Sequence, residues 1–234
     1  MKIKPLPQAF TPTVSVQAGT EIGYSSSWTR GMGKNLVLAS SEEKIDLAPG
    51  YHLLLARNGR GKTTFLKTLA GCITPLSGGV KVSGGIQYIS EELRFDPELT
   101  ARAIFRSLFT RQARGIASDL SAQLELPITT IYGNLSKGNK QKLAIIIAET
   151  KASVEGAQVI LLDEPFSGID FHTREKIAKM WVDSDHEHVR IICIHPDEQT
   201  LQADSALTIN NGKLEWSSTE AGVIDWGQLK TELH

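Results

Sequence analysis

Hydrophobic positions in this chain fall into short runs divided by glycine, proline and polar turns, and the period of those runs changes along the sequence. Over residues 1–50 the runs Thr13-Val14-Ser15-Val16, Asn35-Leu36-Val37-Leu38-Ala39 and Lys44-Ile45-Asp46-Leu47 read as short strands, which predicts an antiparallel β layer. Tyr51-His52-Leu53-Leu54-Leu55, Val159-Ile160-Leu161-Leu162-Asp163 and Val189-Arg190-Ile191-Ile192-Cys193-Ile194-His195 are mostly continuous apolar runs, as in parallel strands covered on both faces. A helix over 173–182 between the last two predicts a right-handed crossover. Residues 80–83, bracketed by glycines, read as another strand, and Ile86-Gln87-Tyr88-Ile89 as a buried core strand. From about 93 to 150 the period becomes helical: Thr100 can cap a helix in which Ile104, Phe105, Leu108 and Phe109 share a face. Asn211-Gly212 between two apolar runs signals a tight hairpin. The pattern predicts an α/β protein with a mixed, largely parallel sheet, an N-terminal antiparallel β layer and a small helical subdomain.

Between the strand at 51–55 and the apolar helix face of Phe65, Leu66 and Leu69 stands Ala56-Arg57-Asn58-Gly59-Arg60-Gly61-Lys62-Thr63-Thr64. Strand, glycine-containing loop ending in Lys-Thr, and helix form the context of a phosphate loop. Backbone N–H groups of Arg57, Asn58, Gly59, Arg60, Gly61 and Thr64 would wrap a phosphate at the helix N-terminus, Lys62 would reach the β- and γ-phosphates, and the Thr63 hydroxyl would hold Mg²⁺. Ala56 replaces the first glycine of the motif and is compatible with it only at negative φ. The strand ending in Asp163-Glu164 supplies two acids at a sheet edge: Asp163 for the Mg²⁺ shell and Glu164 to orient or deprotonate an attacking water.

Composition narrows the class. The chain has 234 residues, 41% of them hydrophobic and 22% charged, enough for a sizeable core. A formal net charge of −1 gives no general attraction for nucleic acid or anionic lipid, and no nucleic-acid partner is expected. The two cysteines, Cys72 and Cys193, read as buried thiols in a reducing compartment. No apolar run approaches the roughly 20 residues that cross a bilayer, and Pro5 and Pro7 interrupt the N-terminus where a signal peptide would need an apolar stretch. His186-Glu187-His188 has metal-ligand residue types, but the adjoining Asp183-Ser184-Asp185 reads as a solvated turn.

Leu135-Ser136-Lys137-Gly138-Asn139-Lys140-Gln141 resembles the L-S-G-G-Q signature of ABC-type ATPases, upstream of Leu161-Leu162-Asp163-Glu164-Pro165, Ser167-Gly168-Ile169-Asp170 and His195 in that family's order. The resemblance spans residues 51–196. It implies one ABC ATPase domain: a phosphate-loop core over 1–92 and 156–217, a helical signature subdomain over 93–155, and a C-terminal helix over 218–234. It also implies that Ser136 and Gly138 contact the γ-phosphate of ATP held by a second subunit, that Asp170 lies in a loop crossing the dimer, and that His195 positions water with Glu164. Glu91 falls where the family often has a metal-contacting Gln, and Trp28 or Tyr24 where an aromatic stacks on adenine, with Trp28 preferred. Lys137 and Asn139 depart from the signature in the manner of ATPases serving ABC-2-type exporters.

The resulting expectation is a cytoplasmic MgATP-hydrolysing subunit, peripheral on the membrane's inner face, working with a second copy and a membrane-spanning permease, and favouring export. The alternatives are a soluble ABC-type ATPase acting on a macromolecular assembly, or an ATP-binding regulatory module with little turnover.

Overall fold

The structure, a computed structural model, describes residues 11–25, 34–156, 158–184, 187–194, 202–218 and 224–225. The N-terminal part contributes β1 (Thr13–Val16), β2 (Thr20–Tyr24), β3 (Leu36–Ser41) and β4 (Ile45–Leu47), followed by the core strand β5 (Gly50–Ala56) and helix α1 (Lys62–Leu69). After β6 (Val80–Ser83) and β7 (Gly85–Ile89) come the helices α2 (Ala101–Leu108), α3 (Arg111–Gln123) and α4 (Lys137–Glu155). Then follow β8 (Gln158–Asp163), α5 (Phe171–Val182), β9 (Val189–Cys193), β10 (Gln202–Ala203), β11 (Ser205–Asn210), β12 (Lys213–Ser218) and β13 (Ile224–Asp225).

The main sheet has the order β2-β3-β12-β11-β5-β9-β8-β7. β11, β5, β9, β8 and β7 run parallel, so β5 and β8 lie on either side of β9. β5, β8 and β9 are buried along their whole lengths, as continuous apolar runs require. The antiparallel layer is composed differently from the expectation: β4, β1 and β6 form a separate three-stranded sheet, whereas β2 and β3 extend the main one. Ile86-Gln87-Tyr88-Ile89 is not a fully buried strand but the sheet's edge, and Ile86 is exposed. The hairpin turn has positive φ at both Asn211 (49°) and Gly212 (77°), the combination a right-twisted two-residue hairpin needs. Ile224–Asp225, placed in a C-terminal helix by the sequence reading, instead pairs as a strand with β10.

Each α-helix of the helical segment starts on a side-chain cap: Thr100 accepts from Ala103 N, Thr110 from Ala113 N and Ser136 from Asn139 N. Asp170 caps α5 in the same way, and the helix begins at Phe171, two residues before the expected start. A buried ionic staple joins three elements: Glu149 of α4 accepts from Trp181 Nε1 of α5 at 2.8 Å and from Arg190 Nη2 of β9 at 2.8 Å. Cys193 is buried as expected, but Cys72 is exposed, because α1 has already ended at Leu69 and the chain has turned through Gly71 at φ 73°.

Candidate nucleotide site at the carboxyl edge of the sheet

The buried strand β5 delivers the chain into the loop 57–60, whose residues are all exposed, and then into α1. Ala56 is itself a β-strand residue, fully buried and outside the positive-φ residues, so its Cβ meets no backbone penalty. The left-handed turn falls later, on Gly59 at φ 76° and Gly61 at φ 105°, where only glycine is unstrained. Lys62 is buried, and its Nζ donates to Ala56 O at 3.0 Å and Asn58 Oδ1 at 3.4 Å. The ammonium thus rests on neutral acceptors, which an anionic phosphate would outcompete. Thr63 is exposed on the first turn of α1, whereas Thr64 is buried.

Register places the acids beside this loop. Cys193 is level with Leu54 of β5 on one side and Asp163 of β8 on the other. Burial above all, then the Asp163 charge, pushes the Cys193 thiol well up, partly countered by Lys62. This thiol stays protonated and belongs to the buried core. Asp163 is 8% exposed, and its Oδ2 accepts from Tyr88 OH at 3.2 Å. Burial and the neighbouring Asp163 charge raise the Tyr88 hydroxyl, so it remains a donor at neutral pH. Glu164 sits at φ 51°, a left-handed conformation costing a non-glycine residue about 1 kcal/mol or more. Its N–H donates to Cys193 O at 3.0 Å and its carbonyl accepts from Ser167 N at 3.1 Å, which hold that bend.

Ser136 and Gly138 open α4. Ser136 is exposed, and Gly138 is buried beneath the next loop: a Cβ there would lie 2.2 Å from Gly168 O. Lys142 of α4 stands 3.8 Å from Asp170, so residues 137–142 and 167–170 form one joined surface. The Glu91 carboxylate, expected near the metal, accepts from Lys137 Nζ at 2.8 Å and from the Ser167 hydroxyl. The Tyr24 hydroxyl is 3.1 Å from Thr64 Oγ1, so this residue bonds to the phosphate-loop helix itself. Trp28 and His195 lie outside the described residues. His188 is buried, and its Nδ1 accepts from Gln158 N at 3.3 Å.

The sequence reading did not single out Tyr88 or the Glu149–Arg190–Trp181 staple. Tyr88 could have been noticed as a polar aromatic three residues before Glu91 in a strand adjoining an acid-tipped one. The staple joins residues far apart in sequence and leaves no local pattern.

Comparison with known proteins fits this geometry. The family model described as ABC transporter matches residues 44–167, more than half of the chain. The aliphatic sulfonates import ATP-binding protein SsuB 2 of Pseudomonas syringae pv. syringae is 28% identical over 211 residues, covering 87% of this chain and 75% of its own. SsuB of Granulibacter bethesdensis is 30% identical over 184 residues, 73% of each chain. A chain of an ABC transporter solved in an inward-facing conformation superposes with a TM-score of 0.67 at 20% identity, over 90% of this chain and 84% of that one, and shares its fold. The chain belongs to the ABC transporter family as an ATP-binding subunit, an ATPase coupled to transport. Both SsuB relatives carry import names, so they give the export expectation no support.

Proposed function

We propose that this subunit hydrolyses MgATP in a head-to-tail pair of copies and drives inward transport by a separate membrane-spanning permease, from the inner face of the membrane. The observation that carries the reading is geometric: Asp163 lies level with Cys193, the Glu164 N–H bonds to Cys193 O, and Lys62 rests on Ala56 at the end of the adjoining strand, with the Ser136–Gly138 helix start packed on the loop that leaves Glu164. Inward direction rests on the import names of the SsuB relatives. No helix among the described residues is long and apolar enough to cross a membrane, and the permease would provide the spans.

The residues present suit Mg²⁺: an exposed Thr63 hydroxyl and the Asp163 carboxylate, one oxygen of which accepts from Tyr88, are hard oxygen donors. Bound Mg²⁺ would neutralise charge on the β- and γ-phosphate oxygens. Lys62 leaves Ala56 O and Asn58 for the phosphates. Glu164, on its strained bend, takes the proton of the attacking water. Ser136 and Gly138 of a second copy present a helix N-terminus to the γ-phosphate, completing the site.

Glu164→Gln tests the reading, since it keeps Asp163 and removes only the base. Expected is ATP binding as in the unsubstituted chain, hydrolysis reduced at least a hundredfold, and a dimer stable in ATP by size-exclusion chromatography. Hydrolysis at the unsubstituted rate would refute the role of Glu164.

A further inference from the structure

Three segments meet at one carboxylate. Glu91, beyond β7, accepts from Lys137 Nζ at 2.8 Å and from the Ser167 hydroxyl, and these contacts hold it below the usual carboxylate range. The surroundings are close-packed: a Cβ on Gly168 would lie 3.2 Å from Lys137 Cγ. Lys137 is the first residue of α4, and that helix has no acid in its first turn. A cation at the positive end of a helix dipole is unfavourable without an anion beside it. Glu91 is that anion here. Both side chains remain about half exposed, at 59% and 44%, so water screens the pair and the contact is readily exchanged.

We infer that Glu91 is a placeholder anion for Lys137. In the free chain it ties the start of α4 to the loop leaving Glu164, and on closure it yields the Lys137 ammonium to the terminal phosphate of ATP held by a second copy. Glu91 thereby sets the ATP concentration at which two copies close, and Lys137 is a positioning residue for that phosphate. The inference rests on the two-copy reading above. Because Ser167 stays bonded to the same carboxylate, release of Lys137 would be felt three residues beyond Glu164, linking closure to the loop that carries the proposed base.

The experiment titrates ATP against dimer formation, read by light scattering, in chains carrying Glu164→Gln so that nucleotide is not consumed. Adding Glu91→Gln, which keeps an acceptor for Ser167 but removes the charge, should lower the half-maximal ATP concentration by about threefold, the scale of one exposed ion pair. Lys137→Gln should raise that concentration, Lys137→Arg should restore it, and Glu91→Gln should have no further effect once Lys137→Gln is present. The Glu91→Gln effect should also shrink in high salt. An unchanged concentration, or an equal Glu91→Gln effect with and without Lys137, overturns the inference while leaving the two-copy reading intact. A Glu164→Gln chain that binds a fluorescent ATP analogue but never dimerises overturns both.

Discussion

Replacing Gly138 by alanine sets two effects of opposite sign against each other. Within a helix, Gly→Ala is worth about 1 kcal/mol in favour of the variant. The new Cβ, however, would lie 2.2 Å from Gly168 O and 3.0 Å from Gly168 C, backbone atoms that cannot rotate away. Relief requires the 167–170 loop to withdraw by about 1 Å, an overpacking cost of about 1–3 kcal/mol. Stability should therefore fall by about 2 kcal/mol at most, which in a chain this size is a Tm shift of no more than about 4–8 °C. Activity should suffer far more. That loop leaves Glu164 and carries Asp170, and a displacement of about 1 Å near reacting groups can cost up to about a hundredfold in rate. Steady-state ATPase measurement beside thermal unfolding separates the two. A tenfold or larger loss of rate with a Tm lowered by less than about 8 °C is expected. Full activity in Gly138→Ala would show that the packing of α4 against this loop does not position the site.

Two further outcomes concern the scaffold. Glu149→Ala would leave Arg190, 4% exposed, without its carboxylate and remove the acceptor of Trp181 Nε1, so denaturant unfolding should show a loss of about 3–5 kcal/mol; a loss below about 1 kcal/mol would contradict the staple. Burial chiefly, then Arg190, holds His188 below its usual pKa of 6.5, so the neutral ring is the folded form and its stabilising contribution is full above that value. It fades as pH falls from 6.5 towards the lower folded-state pKa. Tm should drop across that window in the unsubstituted chain more than in His188→Gln, and parallel curves would refute the assignment.

What the sequence made legible is what neighbouring residues encode. The phosphate loop is nine consecutive positions from Ala56 to Thr64, Asp163-Glu164 terminates an apolar run, and Ser136 precedes a helix, so each could be placed on its element without knowledge of packing. The partners across space were not legible. The order of residues places Glu91 at the family's metal position but says nothing of Lys137 and Ser167, the side chains from two distant segments that its carboxylate meets. β2 was overlooked because Gly23 interrupts its pattern at a register shift against β3. The edge position of β7 depends on strand order, which its run of apolar residues does not carry. Ala56 could be judged only from its backbone, since the same residue would be strained at positive φ and is at ease in a strand.

The central claim is that each hydrolytic site is shared by two copies, and complementation tests it most directly. Lys62→Ala removes the phosphate-loop ammonium and Ser136→Arg blocks the start of α4, so neither variant alone should hydrolyse ATP. Mixed in equal amounts, half of the dimers would be hybrids, and each hybrid would hold one site with an intact phosphate loop facing an intact Ser136. The mixture should recover up to about a quarter of the unsubstituted rate per site at matched concentration. Two inactive variants that stay inactive when mixed, under conditions where the unsubstituted chain dimerises with ATP, would contradict the account.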